Sequence, residues 1–131
     1  MRLMDITNLE LEDNLFSLIW CSHVLEHIED DRLAMSELFR VSRPRGLTLV
    51  MVPIYGEKTF EDPRVTTPAD RLKHFKQEDH VRLFGLDIAN RLRDTGFEVE
   101  VLSVDGMPEE ETLRYGLAYP STKEIFMCTK S

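Results

Sequence analysis

Two almost entirely apolar stretches flank a segment with helical spacing in the first half of the chain. Residues 15–21 are apolar except for one serine, which is typical of a strand covered on both faces, and residues 47–54 have the same character. Between them, residues 30–42 place apolar side chains three and four positions apart, which predicts a helix that Pro44 would end. The pattern therefore predicts a strand–helix–strand unit.

The second half of the chain continues the alternation after a long polar stretch. Its predicted elements are a loop at 55–84 with a helical turn from Pro68, a helix at 86–96, a strand with one wet face at 97–104, a short helix from Pro108 and a strand at 124–130. A short strand at 2–6 is also predicted. This order predicts one α/β domain over residues 1–131 with a mainly parallel sheet.

Composition and charge narrow the class of protein. The chain has 131 residues, 42% apolar and 31% charged, which is typical of one globular domain. The net charge of −8 and the lack of a basic stripe argue against nucleic acid as a partner. No apolar run approaches the roughly twenty residues that span a bilayer, so we expect a cytoplasmic protein away from membranes. Both cysteines lie in apolar runs, which favours buried free thiols.

A family resemblance is carried by DITNLELEDNLFSLIWCSHVLEHIEDDRLAMSELFRVSRPRGLTLVMVPI, residues 5–54. It resembles the class I S-adenosylmethionine-dependent methyltransferases of the small-molecule type. VLEHIEDDRLAMSELFRV is its most specific part, and TTPADRLKHFKQEDHVRLFG resembles an insertion in one branch. The resemblance implies a partial Rossmann-like methyltransferase fold, with a mostly parallel sheet, helices on both faces and a C-terminal antiparallel hairpin. It also implies S-adenosylmethionine as cofactor and a small-molecule acceptor of unknown identity.

The resemblance places the cofactor against two short segments. It implies that Asp5 and Ile6 flank the adenine, with Asp5 accepting a hydrogen bond from the adenine amino group. Ligands of open α/β sheets bind beyond the C-terminal ends of the strands, so Cys21, Ser22 and His23 are also expected to contact the cofactor. The alternative is that His23 merely ends a strand and caps the next turn.

One part of the implied cofactor site has no counterpart in these residues. The family has a glycine-rich turn, whereas this sequence contains no Gly-x-Gly. We expect the chain to begin at the third strand of the family's 3-2-1-4-5-7-6 sheet, which would leave strand 15–21 as an exposed edge. We therefore expect weak or no cofactor binding by one chain, and a homodimer through that edge or its pairing with strand 2–6. Arg45 and Lys76 stand where the family has glycine.

Two polar stretches are candidates for chemistry. HFKQEDH lies in the long loop, and its Asp79 and His80 could accept a proton as a hydroxyl or amine attacks the methyl group, or could instead cap a helical turn. HVLEH matches the H-x-x-E-H pattern of one zinc-peptidase class. That pattern requires a helix, and the predicted helix begins only near Asp30, so we expect no metal.

Two functions remain open from sequence. One is methyl transfer from S-adenosylmethionine to a small molecule. The other is a catalytically inactive dimerising or binding module derived from such an enzyme.

Overall fold

A four-stranded sheet with helices packed on it makes up the computed structural model, which describes residues 5–103 and 124–131. The elements are β1 (Phe16–Ser22), a 3₁₀ turn (Leu25–His27), α1 (Asp31–Val41), β2 (Ser42–Met51), α2 (Pro68–Phe75), α3 (Ile88–Thr95), β3 (Glu98–Ser103) and β4 (Glu124–Thr129). The predicted helix from Pro108 and most of the predicted strand 2–6 lie outside the described residues. At the described end of that strand, Asp5 forms an isolated bridge with Asn8.

The sheet order is β1-β2-β4-β3. β1 and β2 are parallel, whereas β4 is antiparallel to both β2 and β3. The prediction of a mostly parallel sheet is therefore wrong, because two of the three pairings among the described strands are antiparallel. The predicted closing antiparallel hairpin is present, and the order matches the last four positions, 4-5-7-6, of the implied sheet.

Helices α1 and α3 pack on each other and share one apolar core with the inward side chains of the sheet. The core members are Cys21, Leu25, Ala34, Met35, Leu38, Val50, Val52, Phe84, Ile88, Ala89, Leu92, Phe97, Phe126 and Cys128. Both cysteines are free and buried, as predicted. Among the described residues, no helix is long and apolar enough to cross a bilayer.

The outward face of β1 is exposed, which corrects the prediction that this strand is covered on both faces. Leu18 and Trp20 are 61% and 59% exposed, whereas Cys21 on the helix-facing side is 4% exposed. Helices on both faces of the sheet were also expected, but α1 and α3 contribute to the same core. An apolar run predicts a strand well, but it does not show that both faces are covered by the described residues.

The sequence predicted that Pro44 ends α1, and this prediction is wrong. The helix ends at Val41, and β2 begins directly at Ser42, so Pro44 lies inside the strand. The β1–β2 register shifts between Phe16 and Leu18, opposite this stretch. A proline is tolerated at such an irregularity because no ladder hydrogen bond is needed from it.

Lys130, directly after β4, caps the C-terminal end of α1. Its Nζ lies 3.0 Å from the Phe39 carbonyl oxygen, 3.2 Å from that of Ser42 and 2.7 Å from Asn14 Oδ1. The last carbonyls of a helix have no partner within the helix, and a lysine ammonium both donates to them and opposes the dipole. At the other end, the Asp30 side chain accepts from the Leu33 amide and caps the helix.

Four non-glycine residues of the described structure have a positive φ, a conformation that favours glycine, and Arg45 and Lys76 are two of them. Arg45 has φ of 67° and Lys76 has φ of 68°. These are the two positions at which the family resemblance implied glycine, so the structure agrees with that expectation. The Arg45 amide donates to the Lys130 carbonyl, and Lys76 is the left-handed C-cap of α2.

Candidate functional site

The site lies where the parallel strands β1 and β2 end together. Ser22 pairs with Met51, and the His23 amide donates to the Met51 carbonyl at 2.8 Å. His23 then takes a left-handed conformation with φ of 56°, so the chain turns sharply out of the sheet. This is the edge at which α/β folds bind ligands.

Glu26, in the Leu25–His27 turn just after this edge, is a buried carboxylate. It is 2% exposed, and neither of its side-chain oxygens accepts a hydrogen bond within the described structure. His27 Nε2 lies 3.3 Å from Glu26 Oε1. Burial raises the pKa of Glu26 to about 7. The carboxyl group is therefore held in a setting that favours its protonated form.

The long loop brings two further titratable residues against this turn. His27 Nδ1 lies 3.1 Å from the Asp79 backbone oxygen and 3.4 Å from its carboxylate oxygen Oδ2. The rings of His27 and His80 meet edge to face with centroids 4.6 Å apart. His80 is 8% exposed, so the loop places its imidazole inside the molecule. Glu26, His27, Asp79 and His80 are called the strand-end cluster below.

Backbone and arginine contacts hold the loop in this position. The Val81 amide donates to the Glu26 carbonyl at 2.9 Å. The buried Arg82 guanidinium donates to the carbonyl of Leu25 at 2.8 Å, to that of Ile28 and to the Glu61 carboxylate. His80 is therefore flanked by residues whose positions are fixed by several bonds.

The surroundings of His80 and His23 favour the neutral form of each ring. Burial, and after it the charge of His27, lowers the pKa of His80 below its ordinary value. The same two causes lower the pKa of His23. A neutral imidazole is the form that can accept a proton near neutral pH.

The predicted cofactor residues fall in two separate settings. Ser22 and His23 lie at the strand end, whereas the side chain of Cys21 is in the core, so only the backbone of Cys21 is available for a ligand. Asp5 Oδ1 accepts from the amide and hydroxyl of Thr7 at 2.9 and 2.6 Å, and these bonds lower its pKa. Ile6 packs against the core.

The candidate catalytic residues also differ from each other in setting. His80 is buried beside His27, whereas the exposed Asp79 carboxylate faces His27. Sequence reasoning considered Glu26 and His27 only as part of a zinc-peptidase pattern. A carboxylate between the apolar residues of VLEHI is the signal that could have shown that Glu26 is buried.

A cavity of about 460 Å³ is formed by residues of the long loop together with Glu29. Its walls include Glu29, Glu61, Arg71, Val81 and Arg82. Arg71 Nε is buried without a hydrogen-bond partner in the described structure, so a donor remains available there. The volume is within the range of small-molecule sites.

Comparison with known proteins gives one family match and several similar folds. Residues 1–50 match the family model of the methyltransferase domain. The [4+2]-cyclase SpnF is 17% identical with a TM-score of 0.67, over 98% of this chain and 56% of the cyclase. A possible histamine N-methyltransferase from Thermotoga maritima is 18% identical with a TM-score of 0.63, over 96% of this chain and 61% of that protein. No curated protein matches the chain.

Phosphoethanolamine N-methyltransferase 2 from Haemonchus contortus, solved with S-adenosyl-L-methionine, is 17% identical with a TM-score of 0.63, over 96% of this chain and 36% of that protein. At these identities the solved structures establish the fold alone, and the chain spans little more than half of the first of them. Together with the matched residues, the shared fold confirms the resemblance to class I S-adenosylmethionine-dependent methyltransferases. One similar structure is a cyclase by name, so the fold by itself does not fix the reaction.

Proposed function

We propose that this protein, whose residues 1–50 match the methyltransferase domain, transfers a methyl group from S-adenosylmethionine to a hydroxyl or amine of a small polar molecule. The observation that supports this is the strand-end cluster, which joins buried titratable groups to the edge of the sheet where the fold binds ligands. A cavity lined by residues of the same loop has charged walls, which suit a small polar acceptor.

The residues fit part of the cofactor. Ser22 and His23 offer backbone and side-chain polar groups at the strand end. Both bonds from Thr7 end on Asp5 Oδ1, so accepting a bond from the adenine amino group would fall to Oδ2. The methionine part needs the close backbone approach that glycines allow, and this sequence contains no Gly-x-Gly to supply it.

Bound S-adenosylmethionine supplies a methyl group already activated by its sulfonium. The chain's own task is to align the acceptor and take its proton, and alignment contributes much of the acceleration in such reactions. A ring nitrogen of His80 accepts the proton, and His27 packs edge-on against that ring while Asp79 holds His27 in place. His80 is 8% exposed, so its ring is kept away from bulk water.

The test is His80→Gln, with His74→Gln as the matched control. His74 lies on the exposed surface of α2, so its loss should leave methyl transfer unchanged. Removing a general base is expected to lower the transfer rate on a panel of hydroxyl and amine acceptors roughly 100-fold or more. Binding of S-adenosylmethionine, measured by calorimetry, is expected to survive in both variants.

Two outcomes would count against the proposal. Loss of activity in His74→Gln as strongly as in His80→Gln would show that the loop, not the imidazole, is responsible. No heat and no thermal shift with S-adenosylmethionine would favour the inactive module.

That second candidate, a dimerising module, is favoured by the exposed side of β1. Leu18 and Trp20 are more than half exposed, and among the described strands β1 pairs only with β2. A second copy of this chain is the occupant that the strand edge suits, since two identical edges can pair through their backbone groups.

Sedimentation of wild type and of the double variant Leu18→Ser, Trp20→Ser tests this module. A dimer that the double variant converts to monomer supports it. Leu33→Ser is the matched control, because Leu33 is 46% exposed on α1 and should leave the dimer intact. A wild-type protein that sediments as a monomer would exclude the dimer.

A further inference from the structure

Three side chains of the strand-end cluster are of metal-ligating types and lie close together. One ligand atom from each of Glu26, His27 and His80 lies within 4.8 Å of the others. Ligand atoms around a tetrahedral zinc ion lie about 3.4 Å apart, given bonds of about 2.1 Å. Small side-chain rotations would therefore close these atoms onto one ion.

The buried carboxylate is the observation that points to a ligand. Both oxygens of Glu26 are buried, and neither accepts a hydrogen bond in the described structure. Buried carboxylates are normally hydrogen-bonded, paired with a charge or coordinated to a metal. His27 Nε2 lies 3.3 Å from Glu26 Oε1, and His27 is itself a metal-ligating residue type.

The orientation of His27 also suits a metal ligand. Its Nδ1 faces the carbonyl and carboxylate oxygens of Asp79, which favours a proton on Nδ1. Nε2, the nitrogen beside Glu26, then carries the lone pair. Histidines that bind metals are commonly oriented in this way, with the other ring nitrogen donating to a carbonyl or carboxylate.

We propose that Glu26, His27 and His80 bind one zinc ion. Two imidazoles and one carboxylate make a three-ligand set that leaves a fourth position open at the strand end. The sequence-based expectation of no metal rested on the H-x-x-E-H pattern, which needs His23. In the structure His23 lies outside the Leu25–His27 turn, and His80 takes the place of the third ligand.

This inference goes beyond methyl transfer and does not rest on it. Zinc on His80 would occupy the nitrogen that otherwise accepts the proton, so zinc is expected to lower a transfer rate that depends on that base. Metal binding can be measured without cofactor or acceptor, and the two proposals can therefore fail separately.

The experiment loads the chelator-treated protein with zinc, removes excess by dialysis and measures the metal retained. One zinc per chain is expected for wild type and for the control His74→Gln. Glu26→Gln and His80→Gln are each expected to bind at least tenfold more weakly, measured by competition with a coloured chelator. Cobalt in place of zinc should give the visible absorption of a four-coordinate nitrogen and oxygen site, without the thiolate band that Cys21 or Cys128 would add.

Glu26→Gln also tests whether weaker zinc binding comes only from misfolding. Removing a buried carboxylate should leave the metal-free protein at least as stable at pH 8, so weaker zinc binding by a folded variant supports the site. Substoichiometric zinc in wild type, or equal binding by Glu26→Gln and wild type, would overturn the proposal.

Discussion

Arg45 and Lys76 each occupy a backbone conformation that their residue type disfavours. A residue with a side chain costs roughly 1–2 kcal/mol in the left-handed region. A glycine there avoids this cost, but its unfolded chain has more conformational freedom to lose, which offsets about half of the gain. The surrounding bonds therefore hold both residues in a conformation that neither prefers.

Replacing Arg45 by glycine is expected to raise the free energy of unfolding by about 0.5–1 kcal/mol. Lys76→Gly should gain less, because Lys76 Nζ lies 4.7 Å from the centroid of the Tyr55 ring and that contact would be lost. Urea unfolding measures both changes. Arg43→Gly is the control, since Arg43 is exposed in β2 without a positive φ, and it should lose stability.

The two thiols give a pH-dependent prediction. Burial raises the pKa of Cys21 and of Cys128 to about 12, from ordinary values near 9. The reactive thiolate is therefore almost absent at pH 8–10 in the folded protein, and a disulfide reagent should react only as the protein unfolds. An introduced cysteine at the exposed Ser36 should react at once, and its rate should rise with pH towards 9. Rapid reaction of wild type in buffer would contradict the buried placement of both thiols.

The long loop, residues 55–84, shows how one side chain can order an element. Arg82 donates to three carbonyls and to Glu61, and Arg91 joins Glu61 to Asp31 at 3.1 and 2.6 Å. A loop of this length is ordered here because a buried guanidinium satisfies groups that would otherwise lack partners.

Arg82→Met is expected to lower the free energy of unfolding by about 3–5 kcal/mol, because three backbone carbonyls lose their donor and Glu61 loses one of its two arginine partners. The stability of Arg82→Lys should lie between those of wild type and Arg82→Met, since an ammonium cannot reproduce the forked donors of a guanidinium. The control is Arg64→Met: the Arg64–Asp62 pair lies at the surface, where water screens it, so its loss should lower the free energy of unfolding far less. Equal losses at Arg64 and Arg82 would show that burial does not decide the cost.

At the scale of elements, the sequence predicted the positions of helices and strands better than strand direction and burial. β1, α1, α2, α3 and β4 lie close to where periodicity and turn residues placed them, because those patterns are local. Strand direction is set by connections and by distant partners, which is why the mostly parallel sheet was wrong. The apolar run of β1 could not show that Leu18 and Trp20 are exposed.

The strand-end cluster was predicted only in part for the same reason. His80 and Asp79 were found because their residue types suit acid–base chemistry. That His80 packs against His27 and beside Glu26 depends on a loop closure across more than fifty residues, which no local pattern encodes.

Across the whole molecule, the central strands carry the core. β2 and β4 each have a neighbour on both sides, and Thr48, Val50, Phe126 and Cys128 are fully buried. Amide hydrogens of these two strands are expected to exchange slowest, near the free energy of global unfolding.

Hydrogen exchange with residue-level detection tests this order of protection. The β1 amides that do not face β2, and the amides of α2, where only Phe75 is buried, should exchange fastest among the elements. Strong protection of those β1 amides in the same sample would mean that another strand or another copy covers that edge.

The closure of α1 by Lys130 has a consequence for synthesis. The carbonyls at the end of this helix, near residue 40, receive their donor from the next-to-last residue of this sequence. As the chain leaves the ribosome from its N-terminus, α1 can form early, but its last turn stays frayed until Lys130 has emerged and β4 has docked. Lys130 thus completes a helix whose first residue, Asp31, is made about a hundred residues earlier.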